Sequence, residues 1–405
     1  MRPTSPPGSP GPDGHDHPVR TGILTATRGV HAPPELTPGS GRAARRYVVV
    51  LLLAALVLVA VVGGTNALVD PYGSVGTGVV GPAVWTDRTQ KVGLAMRLST
   101  PPRVVVLGSS RAMKVQPAYI ARLTGLPAFN AAVSSGRPVD SYVFARFLRD
   151  RSPVSSTGYL WLLDQEAFAD DSIDPTLLAD PTLARYLPRQ TRMRGRATDL
   201  SRLFSWETLR LSWRTLRNRH TSPPAGPAPE SPPSGEEGGA QPVFAPDGYR
   251  VSDANTRAQA GGRPLSRGIA QSREVYLARY RERFPVLAAS PREFFERSLA
   301  AMNGWGATPV IVLSPMHPRL QRDLQPYGWS ARHRELVAYL DALRGRYRFV
   351  LLDMSSIRSF GGSKRFFYDG VHMMPANYRR LVRAVLRDPR ARIALTGGDF
   401  QALAP

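Results

Sequence analysis

Short runs of apolar residues alternate with segments of helical periodicity over most of the chain. RVVVLG at 103–108 and TGYLWLLDQEAF at 157–168 contain uninterrupted apolar residues, which are typical of strands buried on both faces of a sheet. Similar runs predict a second strand and its loop within 128–136 and further strands at 308–315 and 349–354. Helical periodicity predicts helices over 86–99, 117–123, 140–150, 290–303, 330–344 and 375–387.

This alternation predicts one α/β domain with a parallel sheet and right-handed crossovers, formed by 101–174 and 273–395. The segment 175–272 interrupts it, first with arginine-rich sequence of helical character and then with TSPPAGPAPESPPSGEEGGAQP. Proline and glycine at this density predict a disordered linker or a long surface loop. We therefore expect 175–272 to be an insertion in the domain.

An uncharged apolar run, YVVVLLLAALVLVAVVGGTNAL, occupies residues 47–68. At 1.5 Å per residue, a helix of this length covers the ~30 Å hydrocarbon thickness of a bilayer, which predicts a transmembrane helix. A cleaved signal peptide is the alternative because small residues follow the apolar core, but the run is long and a 46-residue tail precedes it. That tail, 1–46, is predicted to be disordered, and 69–100 to be a connector.

Charges beside the apolar run predict its direction. Arg42, Arg45 and Arg46 precede the run and Asp70 follows it. The positive-inside rule then places the tail in the cytoplasm and the main domain outside the cell membrane.

Composition bears on the partner class. The formal net charge of +22 first suggests nucleic acid, but the arginines are spread along the chain without a compact basic block, so we expect no nucleic-acid partner. A basic face also suits an anionic membrane or a polyanionic envelope polymer. The chain has no cysteine, which excludes disulfides, thiolate metal sites and cysteine nucleophiles.

A sharp polar corner, Gly108, Ser109 and Ser110, follows the first predicted strand. Ligands of open parallel sheets bind at loops that leave the carboxyl ends of the strands. A serine there, near backbone N–H groups and the start of the next helix, suits attack on a carbonyl and stabilisation of the resulting oxyanion. Serine needs a base for this, however, and two serines after a strand often only cap a helix, the role expected for Ser109.

A candidate base lies far along the chain, in FFYDGVHMMPANYRRLV. Asp369 and His372 are three residues apart in a loop before the last predicted helix, so the carboxylate could fix the imidazole tautomer and leave the other nitrogen facing a serine. They could instead be a turn aspartate and a surface histidine. His317, in SPMHPR after another strand, is a rival base on the same rim.

These residues resemble the SGNH (GDSL-like) hydrolases. VVVLGSSRA is similar to the first block of that family, with Ser110 at the nucleophile position and Ser109 where an aspartate is usual, and DGVH is similar to its closing Asp-x-x-His. With one N-terminal helix, the pattern is similar to the membrane-anchored subgroup that includes the D-alanine transfer protein of teichoic-acid modification. The resemblance implies a three-layer α/β/α domain and a triad of Ser110, His372 and Asp369.

The resemblance also implies an oxyanion site made by the backbone N–H of Ser110, the loop around Gly136 and an asparagine of the third block. The third block here, LLDQEAF, lacks that asparagine, and Gln165 or Asn130 is the candidate replacement. Arg111 is a candidate contact for an anionic substrate, with pairing to a surface carboxylate as the alternative. No metal-ligand spacing or nucleotide-binding unit is found, so we expect no cofactor.

Two functions are compatible with these features. The first is a membrane-anchored, extracytoplasmic serine esterase or O-acyltransferase that acts on acyl esters of cell-envelope glycans or polymers. The second is a catalytically inactive SGNH-like module that binds an envelope polymer or scaffolds a partner acyltransferase in the membrane. The missing asparagine of the third block favours the second.

Overall fold

The computed structural model describes residues 40–70, 86–152, 157–193, 203–218, 243–282 and 284–397. The predictions for the tail up to residue 39, for the connector between residues 71 and 85 and for the Pro/Gly-rich sequence at 221–242 lie outside the described residues.

A five-stranded sheet lies at the centre of the described fold, and all of its strand pairs are parallel. The strand order is β2-β1-β3-β6-β7, and a separate two-stranded antiparallel hairpin pairs β4 with β5. The strands are β1 (Val104–Gly108), β2 (Ala128–Asn130), β3 (Gly158–Leu163), β4 (Val243–Phe244), β5 (Arg250–Ser252), β6 (Val310–Leu313) and β7 (Val350–Asp353).

Helices connect these strands. They are α1 (Ser40–Val69), α2 (Asp87–Met96), α3 (Pro117–Thr124), α4 (Pro138–Arg151), α5 (Pro175–Ala179), α6 (Pro181–Ala184), α7 (Trp206–Asn218), α8 (Ala254–Ala260), α9 (Leu265–Glu282), α10 (Ala289–Gly304), α11 (Pro318–Leu324), α12 (Trp329–Leu343), α13 (Pro375–Arg387) and α14 (Pro389–Thr396). Short 3₁₀ segments follow β3, α11 and β7, at Gln165–Phe168, Gln325–Tyr327 and Ile357–Phe360.

Side chains on the two faces of the sheet form two cores. In β1, Val105 and Leu107 enter one core, and Val104 and Val106 enter the other. Residues of α4, α10 and α12 complete the first core, and residues of α3, α13 and α14 complete the second. Helices therefore cover both faces, which explains why the strands are apolar throughout and confirms the predicted parallel α/β sheet.

The described parts of the segment predicted as an insertion contain helices and a hairpin. The predicted return to the domain at residue 273 falls in the middle of α9, and the hairpin and α8 also lie in the segment assigned to the insertion. The hairpin and α8 carry little apolar periodicity because few of their side chains reach the core. A buried lysine, rather than apolar packing, attaches the hairpin to the sheet. Lys91 of α2 donates to the backbone carbonyl of Asn130, at 2.6 Å, and to that of Gly248 in the hairpin.

The N-terminal apolar run forms the continuous helix α1. Residues 41–69 form a helix long and apolar enough to cross a membrane, which confirms the predicted apolar helix. The chain divides into a first unit, residues 1–57, and a second, residues 58–405. Within the second unit, Gly63, Asn66 and Val69 are buried on one face of the last turns of α1.

Candidate active site

The serine corner is a tight turn at the carboxyl end of β1. Gly108 has a φ of 138°, and a Cβ atom there would lie 2.5 Å from the carbonyl oxygen of Leu162, so the turn requires glycine. The next helix begins only at Pro117, so the prediction that a helix N-terminus lies beside Ser110 is wrong. Turn bonds such as Ala112 N–H to the Ser109 carbonyl, 2.8 Å, shape the chain in between.

The second part of the site is a closed loop before α13. The backbone N–H of Tyr368 donates to the carbonyl of His372 at 2.8 Å, which closes the loop. Asp369 Oδ1 accepts from the backbone N–H groups of Val371, at 2.8 Å, and His372, at 2.7 Å. A three-residue spacing lets one carboxylate cap the turn and still face the ring of His372.

The structure brings Ser110, His372 and Asp369 together, although 262 residues separate the serine from the histidine. His372 Nε2 lies 2.9 Å from Ser110 Oγ, and His372 Nδ1 lies 2.7 Å from Asp369 Oδ2. Asp369 is buried whereas His372 and Ser110 are half-buried, so the serine end of this chain of contacts faces solvent. In this arrangement the imidazole can accept the serine proton while the carboxylate holds its tautomer.

Electrostatics at Asp369 favour the ionised carboxylate. Burial alone would raise the pKa of Asp369, but the His372 ring and the backbone N–H groups of His372 and Val371 outweigh it and hold the pKa below its ordinary value. The carboxylate is therefore ionised at neutral pH and can stabilise a positive charge on the imidazole.

Asn255, in the first turn of α8, is a further member of the site. Its Nδ2 donates to Asp369 Oδ2 at 2.9 Å and lies 3.2 Å from His372 Nδ1. Arg263 Nη2 donates to Asn255 Oδ1 at 2.8 Å and so fixes the orientation of the amide. The sequence predictions missed Asn255. Asp253 marks the start of α8 as an N-cap, but nothing in this segment indicates that Asn255 contacts Asp369.

Helix α9 packs directly on the loop that carries Asp369. A Cβ atom on Gly268 would meet the Tyr368 carbonyl oxygen at 2.7 Å, so the helix and the loop are in close contact. Ser272 Oγ accepts from the backbone N–H of Gly370 at 3.0 Å. The segment predicted as an insertion thus supports the site.

His317, the rival base, holds the same loop by its backbone. Its N–H donates to the Gly370 carbonyl at 2.9 Å, and its Nδ1 accepts from the backbone N–H of Arg319 at 3.1 Å as the cap of α11. Burial lowers the pKa of the His317 imidazole, which matches a neutral ring that accepts from a backbone N–H. Of the two histidines, His372 is the one that contacts Ser110.

The candidate oxyanion donors differ in their availability. Within the part of the chain that the structure describes, the backbone N–H of Ser110 has no protein acceptor. The Gly136 N–H donates to the Val133 carbonyl at 3.0 Å. The amide of Asn130 donates to the carbonyls of Ala112 and Val115, and that of Gln165 donates to the hydroxyl of Tyr280 and the carbonyl of Trp329.

Both side-chain candidates are therefore occupied. Asn130 is fully buried and its two amide hydrogens are used, so its amide holds the turn after Ser110 and does not act as an oxyanion donor. The Gln165 amide faces α9 and α12. Ser110 N–H remains as the free donor among these candidates.

Arg111 is a buried residue, not a surface one. Its side chain is 5% exposed and pairs with Glu166 at 2.9 Å and Asp164 at 3.7 Å, and it donates to the Tyr276 hydroxyl at 2.8 Å. Burial opposes the charge, but the two carboxylates outweigh it and hold the pKa of Arg111 well above its ordinary value. These contacts show a buried ion pair in place of the predicted surface one, and the contact with an anionic substrate stays a prediction.

Ser109 connects this buried network to the corner. Its hydroxyl donates to Asp164 Oδ2 and accepts from the backbone N–H of Arg111 at 3.1 Å, so it has the expected turn role. On the far side, the Tyr280 hydroxyl donates to Glu166 Oε1 at 2.8 Å. The network extends from the residue before Ser110 to α9 and orders the backbone that presents the serine.

No protein-family model matches the chain, and no curated protein matches its sequence. Among the described residues, no group of three or more His, Asp or Glu side chains could hold a metal ion. The geometry of the site therefore supplies the grounds for assigning a function.

Proposed function

We propose that the protein is a membrane-anchored serine esterase or O-acyltransferase with an SGNH-like site, acting outside the cell membrane on acyl esters of envelope glycans or polymers. The observation that carries the proposal is the contact chain from Ser110 Oγ to His372 Nε2, 2.9 Å, and from His372 Nδ1 to Asp369, 2.7 Å. Two short contacts in series are what activation of a serine by a carboxylate-oriented imidazole requires.

The reaction begins when His372 Nε2 takes the proton from Ser110 as Oγ bonds to the ester carbonyl carbon. The carbonyl oxygen becomes an oxyanion, which the free N–H of Ser110 can stabilise. The carbon–oxygen bond to the alcohol then breaks, and the imidazolium returns the proton to the leaving alkoxide. Water or a sugar hydroxyl attacks the acyl-serine in a second, equivalent step, giving the acid or a new ester.

The envelope location is supported by α1 and by the charges beside it. Residues 41–69 are long and apolar enough to span a bilayer, and three arginines precede the apolar run. By the positive-inside rule, the domain that follows lies on the outer side, where acylated glycans and polymers are the ester substrates at hand.

A fluorophosphonate probe tests the enzyme directly, since it labels only serines activated in this way. We expect the full chain in detergent to be labelled and Ser110→Ala and His372→Ala to lose the label. Ser359→Ala, at an exposed serine of a 3₁₀ segment, is the matched control and should label like the wild type. Folded wild-type protein that takes no label would refute the enzyme.

An inactive module that binds an envelope polymer, or scaffolds a membrane acyltransferase, is the second candidate. The occupied amides of Asn130 and Gln165 favour it, because loss of one oxyanion donor typically costs ~10² to 10³ in rate. If the protein is an inactive module, Ser110→Ala should bind the acylated polymer as the wild type does. Neither protein should then react with the fluorophosphonate.

A further inference from the structure

Helix α7 exposes a stripe of aromatic and basic side chains. Trp206 is 64% exposed and Trp213 is 68% exposed, and Arg210 and Arg217 are exposed as well. These positions are spaced by four, three and four residues, so they share one helix face. The Arg210 guanidinium lies 5.5 Å from the centre of the Trp206 ring. Two neighbouring tryptophans exposed to this degree mark a surface that meets another phase or molecule.

The opposite face of α7 is fastened to the last turns of α1. Ser212 is fully buried, and its hydroxyl donates to Asn66 Oδ1 at 2.8 Å. Asn66 Nδ2 donates to the Leu203 carbonyl at 2.6 Å. The Phe204 ring packs against Gly63 and leaves no room there for a Cβ atom, so Phe204 covers that glycine. Asn66 is fully buried, and the two ends of its amide hold the middle of α7 and the residues just before the helix.

These contacts set the level of α7 relative to the apolar run, which ends at Leu68. At 1.5 Å per residue, Gly63 and Asn66 lie ~8 Å and ~3 Å below that end. A helix attached at these two positions is therefore level with the boundary between hydrocarbon and headgroups. Amphipathic helices in this zone bury their apolar face ~5–10 Å into the boundary, at the same depth.

We propose that α7 lies in the outer interface of the bilayer that α1 crosses, with Trp206 and Trp213 in the headgroup region and Arg210 and Arg217 on lipid phosphates. This rests on α1 being the membrane anchor of the proposed function. Tryptophan and arginine are the residues that such an interface favours, one for its amphipathic ring and the other for its fork of phosphate donors. The direct attachment of α7 to α1 makes the bilayer the occupant.

The absence of cysteine from the chain allows a depth measurement on the whole protein. A nitroxide is attached at Trp213→Cys in the full chain in phosphatidylglycerol nanodiscs, and its collisions with oxygen and with a water-soluble nickel chelate are compared. Leu56→Cys in α1 is the hydrocarbon reference, and Val286→Cys, 58% exposed before α10, is the aqueous reference. We expect the label at 213 to favour oxygen, with a depth between the two references.

If the label at 213 collides with oxygen and the nickel chelate as the label at 286 does, α7 lies in water and the inference is overturned. A helix α7 that docks on a protein instead of the bilayer falls under this outcome. Fluorophosphonate labelling of the same samples reports on the active site separately, so failure of α7 to insert and failure of the enzyme are distinguishable. Adding Arg210→Gln and Arg217→Gln should move the label towards water in phosphatidylglycerol, whereas the exposed control Arg358→Gln should not. An unchanged depth in the double variant refutes the phosphate contacts.

Discussion

Asn255 donates a hydrogen bond to Asp369 across a separation of 114 residues, with 2.9 Å between Nδ2 and Oδ2. The amide also lies 3.2 Å from the ring nitrogen that Asp369 contacts. A residue from the segment between the two halves of the α/β domain thus touches both the carboxylate and the imidazole. Asn255 positions these groups rather than reacting itself.

Replacing Asn255 with Ala should lower kcat for ester hydrolysis by roughly 10- to 100-fold, since a hydrogen bond to a charged group is worth ~1.5–3 kcal/mol. KM should not change, and the acid limb of the pH profile should move to higher pH, because the Asp369 carboxylate loses a donor. Hydrolysis of p-nitrophenyl acetate over a pH series measures all three. Gln259→Ala, an exposed change on the same helix, is the control, and equal kinetics in the two variants would contradict this role.

Two substitutions, one beside His372 and one at His317, test which histidine is the base. Asp369→Asn should preserve the shape of the loop but favour the wrong tautomer of the His372 imidazole. We therefore expect kcat to fall by ~10⁴. His317→Asn keeps a side chain that can cap α11, so the reaction with a fluorophosphonate should continue at close to the wild-type rate. A large loss of rate in folded His317→Asn would assign proton transfer to that histidine instead.

Arg111→Met should destabilise the fold by ~3–5 kcal/mol, because it leaves the buried carboxylates of Glu166 and Asp164 without their cation. The midpoint of thermal unfolding measures the loss. Arg358→Met, at an exposed position, should leave the midpoint within error. An Arg111→Met variant that keeps its midpoint but loses affinity for an anionic substrate would assign Arg111 to substrate binding instead.

Lys91 should make the free energy of unfolding vary with pH above neutrality. Burial lowers the pKa of its ammonium to about 7 from 10.5, so between these values the unfolded chain binds a proton that the folded chain does not. Stability then rises with pH in this window, by up to about 1.4 kcal/mol per pH unit. Thermal midpoints of the wild type and Lys91→Met at pH 7, 8.5 and 10 should diverge in favour of the wild type as pH rises, and parallel curves would exclude this titration.

The parts of the fold that follow local patterns could be predicted from sequence. Strands β1, β3 and β6 of the main sheet are apolar runs, and α13 begins at the proline of its predicted range. Asp369 and His372 were assignable as a pair because one loop holds both. Their contact with Ser110 followed only from the rule that parallel strands end at one edge of the sheet.

The remaining contacts join residues with no spacing relation. Nothing in the sequence around Asn255 or Tyr276 indicates that one reaches Asp369 and the other Arg111. The same holds for Asn130, an apparent oxyanion donor whose amide hydrogens are used by the turn after Ser110. Contacts of this kind depend on tertiary packing, which overrides local propensity.

Helix α9 holds the Asp369 loop through Gly268 and Ser272 near one end, and through Tyr276 and Tyr280 it holds the network beside Ser110 near the other. Helix α9 therefore contacts both the loop of the acid–base pair and the network that orders the nucleophile. The spacing between the serine oxygen and the imidazole therefore depends on a single helix that lies outside both catalytic loops.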